Sequence, residues 1–364
     1  MSQNKLHLFI TAMTLLIIAN FSMQAQKRDV KKNKNNNIMN TMTINNFGKI
    51  TINNSTQWIL VRGKKADAPL LIHVQAGPGI PMISEANEME DNLQLENDFL
   101  VAYWDQRGCG LSYNKDIAPE TITLEQMADD VIACTKYLLK KYNKDKAFLV
   151  GYSIGATISV MAAAKDGNIF GGIVAVGTDV DIPYANQYAL DFAMEKAIEK
   201  DDEKLIKKIN QLKQSPIVES KRFQKRAEIL TNLGGIRTGA NYNSMAISMV
   251  KNMLFSKYYG IRGLSKSVKG ISFCQNALIS EMNSLNLFQT VNQVSVPVHF
   301  AQGSLDAIAP LVRGRQYYEQ LDAVEKSFTV FENSAHLPQY EEPAKFSNLI
   351  RSVLKNSLSI TVSK

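Results

Sequence analysis

Four apolar runs, each the length of a buried strand, recur along the first half of the chain, with helical patterning after the second and the third. This alternation limits what the chain can fold into. The runs are Leu70 to Val74, Phe99 to Trp104, Ala147 to Val150 and Ile173 to Val176; near-continuous apolar runs of this length suit strands covered on both faces. After the second run, Thr123 and Gln126 form a capping-box pattern. Leu124, Met127, Val131, Ile132 and Leu138 then recur at helical spacing up to Lys141. A further helix is expected from about Ile154 to Ala164. Strand and helix alternation of this kind implies a mainly parallel sheet with right-handed crossovers. Ahead of it, Lys49 to Ile52 and Trp58 to Arg62 read as an opening hairpin, and a polar segment including Glu85 to Leu95 separates the first two apolar runs.

The pattern breaks at Tyr184. From there to about Leu287 the chain offers amphipathic helical stretches, among them Tyr188 to Ile198, Glu203 to Leu212 and Ser220 to Leu230, with no convincing strand. Strand signals return at Pro297 to Ala301 and Ser327 to Phe331, each followed by a helical segment. Residues 184–287 therefore read as a helical cap inserted into one sheet built from 47–183 and 288–364. A chain of 364 residues with 45% apolar content is long enough for such a core. The net charge of +7 comes partly from lysines near the N-terminus, so no nucleic-acid partner is expected. Cys109, Cys134 and Cys274 are too few and too scattered for a disulfide framework or a metal site, and read as small core or loop residues.

The N-terminus has the layout of a secretory signal peptide. Lys5 precedes a largely apolar stretch from Leu6 to Phe21, and Ser22 to Ala25 supply small residues near a cut after Ala25. The stretch is shorter than the roughly 20 apolar residues of a spanning helix and is interrupted by polar side chains, so cleavage is expected rather than anchoring. Residues 26–46, rich in Lys and Asn, read as a flexible leader. Export, with no stable membrane span after cleavage, is the expectation.

The segment with the clearest chemistry is Gly151-Tyr152-Ser153-Ile154-Gly155, directly after an apolar strand and opening a helix. A serine there sits on a sharp strand-to-helix turn that needs glycine on both sides. A serine hydroxyl is a poor nucleophile at neutral pH and needs an imidazole to take its proton and a carboxylate to orient that imidazole. Asp306 follows one strand in Gly303-Ser304-Leu305-Asp306, and His336 follows another in Asn333-Ser334-Ala335-His336. Ser153, Asp306 and His336 thus fall just past strand carboxyl ends, where open α/β sheets build their sites. His73 and His299 lie inside expected strands and read as structural. Asp322 and Glu332 are the competing acids, and both rank below Asp306. Backbone N–H groups of Ala76 or Gly77, in Gln75-Ala76-Gly77-Pro78-Gly79, together with that of Ile154, are the candidate oxyanion donors.

Three segments together, VQAGPGIP at Val74 to Pro81, YWDQRGCGLS at Tyr103 to Ser112, and GYSIG at Gly151 to Gly155, resemble the proline iminopeptidase branch of the α/β-hydrolase family. The resemblance implies a mainly parallel central sheet flanked by helices beneath a helical cap. It also implies peptide, amide or ester hydrolysis with no metal or organic cofactor. By the same resemblance Ser153 corresponds to the nucleophile, Asp306 to the acid and His336 to the base, while Asp105 and Arg107 brace a loop beside the site. The family commonly has His-Gly-Gly-Pro-Gly where this chain has Gln75 to Gly79. A Trp-Glu pair and cap acids hold the substrate's amino group in that branch, whereas Trp58 and Trp104 are the only tryptophans here. Glu195, Glu199, Glu219 and Glu281 are cap acids interleaved with lysines, and read as solvated faces.

The expected partner is therefore a small-molecule or short-peptide substrate, cleaved at an amide, ester or N-terminal aminoacyl bond through an acyl-enzyme. Two other readings stand beside it: a carboxylesterase-type acyl hydrolase, and a catalytically idle protein of the same fold that binds a ligand under its cap. An epoxide or haloalkane hydrolase would want aspartate where Ser153 stands.

Overall fold

The computed structural model describes residues 44–217 and 219–362, with side chains described as far as Val353. The signal-peptide segment 1–25 and the leader as far as Thr43 lie outside the described residues. The end of the leader is corrected. Strand β1 (Ile44–Ile52) already includes Ile44, Asn45 and Asn46, because these pair with Gly63, Arg62 and Val61 of β2 (Ser55–Gly63). A polar composition does not reveal such a cross-strand partner.

The expected apolar runs become β3 (Leu70–Val74), β4 (Leu100–Asp105), β5 (Ala147–Tyr152) and β6 (Phe170–Val176), and the later ones β8 (Val298–Gly303) and β10 (Lys326–Phe331). They form one eight-stranded sheet in the order β1-β2-β4-β3-β5-β6-β8-β10. From β4 to β10 neighbours are parallel, and the opening hairpin adds two antiparallel strands at one edge. Side chains alternate between two cores: Leu70, Ile72 and Val74 face one, Leu71 the other. The first is closed by α2 (Leu124–Tyr142) and α3 (Ile154–Lys165). The second is closed by α1 (Ala86–Leu93), which forms within the polar segment after β3, and by α12 (Pro343–Val362).

The cap consists of α4 (Ile182–Glu199), α5 (Glu203–Lys213), α6 (Ser220–Asn232), α7 (Tyr242–Phe255) and α8 (Gly260–Met282). It has a core of its own in which Ala189, Leu190 and Ala193 meet Ile209, Leu212, Ile229 and Leu230. Its first helix begins at Ile182 rather than Tyr184, because Asp181 caps it by accepting from Tyr184 N–H. The short helix α9 (Leu287–Thr290) leads back to the sheet. Two-residue strands β7 (Gln293–Val294) and β9 (Asp322–Ala323), flanking α10 (Leu311–Gln320), pair as a small annex.

At the start of α2 only half of the capping box forms. Thr123 accepts from Gln126 N–H at 3.0 Å, but the Gln126 amide turns to Asp130 instead of returning to Thr123. Asp130 has the stronger claim on it, as a buried carboxylate that also accepts from Asn53, Gln57 and the Arg107 fork at 2.8–2.9 Å. It ties the hairpin turn, the loop after β4 and α2 into one network. Removing one partner of such a buried ion pair leaves the other charge uncompensated, which typically costs about 3–5 kcal/mol. Asp130→Ala is expected to lower stability by that amount in chemical denaturation, with hydrolytic activity kept in whatever fraction remains folded.

Candidate active site

Ser153 stands alone between β5 and α3 with φ 53° and ψ −126°, a left-handed backbone that costs a non-glycine residue about 1–3 kcal/mol. The neighbours impose it. Ser153 N–H donates to Val176 O at 2.8 Å across to β6. A Cβ on Gly151 would come within 2.6 Å of Ala156 Cα and of Gly155 O, and one on Gly155 within 2.1 Å of Gln75 O. The two glycines therefore let the strand, the first turn of α3 and the loop after β3 approach closely.

The loops carrying Asp306 and His336 meet because β8 and β10 are adjacent, with Gly303 paired to Phe331. His336 Nδ1 and Asp306 Oδ2 are 2.8 Å apart. The other bonds to Asp306 come from the Gln302 amide on the same oxygen and from Ile308 and Ala309 N–H on Oδ1, at 2.8–2.9 Å. A buried carboxylate with four donors is held in one orientation and holds the imidazole in turn. Burial works against a charged His336, but Asp306, Asp179 and Glu341 outweigh it and raise its pKa above the usual histidine value.

Asp179 is the residue the sequence reading missed. Ser153 Oγ donates to Asp179 Oδ2 at 2.9 Å, and among the described residues no hydrogen bond joins Ser153 to His336. Asp179 lies just past β6, in Gly177-Thr178-Asp179, so the strand-end rule that selected Asp306 and His336 also reaches it. Burial pushes its carboxyl up to about 6, against the pull of His336 and the Ser153 hydroxyl. Gly177 makes room for this grouping: with φ 52°, a Cβ there would lie 3.0 Å from the His336 ring.

The loop after β3 packs on the first turn of α3, which brings Ala76 and Gly77 to the same edge as Ile154. A Cβ on Gly77 would lie 3.5 Å from Ile154 Cγ2, and the Gly77–Pro78 peptide is cis. Gln75 is buried and its amide is occupied, accepting from Gln106 N–H and donating to Cys109 Sγ. The Gln75 side chain thus braces the loop, while the backbone groups remain at the edge.

The other candidates lie elsewhere. Asp105 is buried and accepts from Met82, Ile83 and Leu111 N–H at 2.9–3.0 Å and from the Tyr259 hydroxyl of the cap, a loop-bracing role. His73 bonds to Tyr152 inside the sheet, where burial pushes it down to about 3. His299 bonds to Ser327 between strands. Asp322 sits in the β7–β9 annex. Of the cap acids, Glu281 caps α2 through Leu124 N–H and Glu199 forms an exposed pair with Lys196. A surface cleft of about 680 Å³ lies by the opening hairpin, lined by Lys49, Trp58, Arg107 and Tyr113 among others; none of Ser153, Asp179, Asp306 or His336 lines it. The chemistry favours the strand-end cluster over this cleft. Among the described residues no group of three or more His, Cys, Asp or Glu side chains is placed to hold a metal ion, and no helix is long and apolar enough to cross a membrane.

Comparison with known proteins agrees with this fold. The family model Hydrolase_4, described as Serine aminopeptidase, S33, matches residues 87–230. A probable aminopeptidase of Bacillus subtilis (strain 168), YbaC, is 28% identical over 316 residues, covering 83% of this chain and 94% of its own. Among solved structures, a proline iminopeptidase-related protein from Thermus thermophilus matches with a TM-score of 0.58 at 18% identity, over 86% of this chain and 98% of that one. A thermophilic esterase from Thermogutta terrifontis matches with a TM-score of 0.55 at 20% identity, over 86% and 99%.

The close approach at the nucleophile turn is open to test. Gly155→Ala is expected to lower stability by about 1–3 kcal/mol, the usual cost of overpacking. Gly48→Ala, at a β1 position with nothing within 4 Å, should stay within about 0.5 kcal/mol of the parent. Denaturation midpoints of the two variants make the comparison.

Proposed function

Because the chain is a hydrolase of the α/β-hydrolase fold that resembles the proline iminopeptidase branch, we propose that it is a serine aminopeptidase, releasing an N-terminal residue through an acyl-enzyme on Ser153. The observation that carries this reading is the Asp179 carboxylate 2.9 Å from the nucleophile oxygen. In an aminopeptidase substrate the ammonium nitrogen is two bonds from the carbonyl carbon under attack. A carboxylate beside the attacking oxygen is therefore within reach of that ammonium. It supplies the charge that the missing Trp-Glu pair supplies in the family, and it does so from the end of β6 instead of the cap.

The chemistry follows from the same contacts. In the free enzyme the Ser153 hydroxyl donates to Asp179. A bound ammonium takes over that carboxylate, and the released hydroxyl turns to His336 Nε2. His336 accepts the proton as Oγ bonds to the carbonyl carbon, and Asp306 stabilises the imidazolium. The N–H groups of Ala76 or Gly77 and of Ile154 receive the oxyanion. His336 then protonates the leaving amine, and water attacks the acyl-enzyme by the reverse sequence. Catalysis requires a neutral His336, so its raised pKa moves the acid limb of the pH–rate profile to higher pH than an unshifted histidine would give.

A charge-assisted hydrogen bond is worth about 1.5–3 kcal/mol, or roughly 10- to 150-fold in rate. Asp179→Asn is expected to lower kcat/KM for a prolyl anilide by that factor and to leave an N-blocked nitrophenyl ester within a few-fold of the parent. Ser153→Ala serves as the blank and is expected to lose roughly 10⁶-fold on both. Equal loss on both substrates in Asp179→Asn would remove the ammonium role. Turnover of the ester alone by the parent enzyme would make it an acyl-ester hydrolase.

Export is part of the same proposal, supported by Lys5, the apolar run to Phe21 and the small residues ending at Ala25. N-terminal sequencing of protein recovered outside the cytoplasm should begin at Gln26. A sequence starting at Met1 on membrane-bound protein would replace export with anchoring.

A further inference from the structure

Three successive N–H groups of the loop carrying the base are spoken for from outside that loop. Ala335 and Leu337 N–H donate to Glu341 Oε2 at 3.1 and 3.3 Å, and His336 N–H donates to Ile236 O of the cap at 3.0 Å. The other Glu341 oxygen reaches the cap as well, since Oε1 accepts from both N–H and Oγ1 of Thr238 at 2.7 Å. The same cap segment touches the acid loop, where Ala307 N–H donates to Gly235 O at 2.9 Å. The fit is close: a Cβ on Gly235 would come within 2.5 Å of Ala307 Cβ. Arg237 lies over the Tyr340 ring, 5.3 Å from its centre.

We propose that Glu341 is a positioning residue for the base: its carboxylate fastens the cap segment Gly235–Thr238 to the loop that carries His336, so that seating the cap sets the imidazole. This rests on the reading of Ser153 and His336 as nucleophile and base. It adds that the cap is part of the catalytic apparatus and not only a cover over the substrate. A cap that lifts breaks the bond from His336 N–H and both Thr238 bonds together, and frees the base loop. The acid loop loses its Gly235 contact in the same movement. Seating and catalytic competence are then one event, and the enzyme is inactive whenever its site is open to bulk water.

The test is the pH dependence of kcat/KM on a neutral nitrophenyl ester, which reports the free enzyme's base. The charged groups facing His336 are Asp306 from the loop after β8, Asp179 from the end of β6 and Glu341 from α11 (Pro338–Glu341), with cap Arg226 acting on Asp179. Glu341→Gln removes one negative charge from this set, which lowers the His336 pKa. The acid limb should therefore move to lower pH while kcat falls by up to about 100-fold, the scale of a misplaced catalytic group.

Glu341→Asp keeps the charge and should keep the limb close to the parent's position. Thr238→Val removes a cap-side donor only and should lose several-fold in kcat with the limb unmoved. A Glu341→Gln enzyme with parental kcat overturns the proposal, and so does one with lower kcat and an unmoved limb. If that variant does not fold, parental turnover in Thr238→Val overturns it instead. Ser153→Ala runs alongside: activity persisting there defeats the underlying reading, whereas Ser153-dependent activity with an unmoved limb defeats this inference alone.

Discussion

The hydrogen bond between His336 Nδ1 and Asp306 Oδ2 is the contact on which the site depends. Its two residues are 30 positions apart in the chain, and they meet because β8 and β10 are parallel neighbours in register. A parallel sheet sends every strand's carboxyl end to one edge, so the loops after β3, β5, β6, β8 and β10 all arrive at the same place. What each loop brings there is a matter of sequence. The sheet fixes that they converge, and Gly151, Gly155 and Gly177 let them come close enough to react.

Charge is distributed unevenly around His336. Asp306, Asp179 and Glu341 all favour its protonated form, and burial opposes them. This arrangement suits the role proposed for it, holding a proton briefly between nucleophile and leaving group. Asp306 is satisfied by four donors and is fixed. Asp179 accepts from Ser153 with its side chain and has its titration raised to about 6, so its charge remains sensitive to what binds beside it. The two carboxylates are alike in chemistry and differ in their neighbours, which separates their roles.

Much of the architecture was legible in the sequence, because buried parallel strands read as apolar runs and the nucleophile turn announces itself through flanking glycines. The strands β3 to β6, the cap helices α4 to α6 and the residues Ser153, Asp306 and His336 came from local pattern. Asp179 did not: it too follows a strand end and lies between Ser153 and His336, but a serine, acid and histidine order has one place for an acid, and Asp306 fills it. Glu341 was invisible for a different reason: its partners are backbone N–H groups of the loop before its helix, and the N–H and hydroxyl of Thr238 in a cap segment 103 residues away, and no local motif encodes them. The half-formed capping box at Thr123 and the early start of β1 have nearer causes: the Gln126 amide is drawn to Asp130 one turn further along the same helix, and Ile44 to Asn46 pair with β2 across the hairpin.

The account stands on Ser153 being the nucleophile that His336 serves, and covalent labelling tests this most directly. After treatment of the mature protein with a fluorophosphonate, peptide mass spectrometry should find the adduct on the peptide containing Ser153, at a rate that rises with pH as His336 loses its proton. An unlabelled Ser153, with the adduct absent or on another residue, would contradict the account and leave a binding protein built on a hydrolase fold.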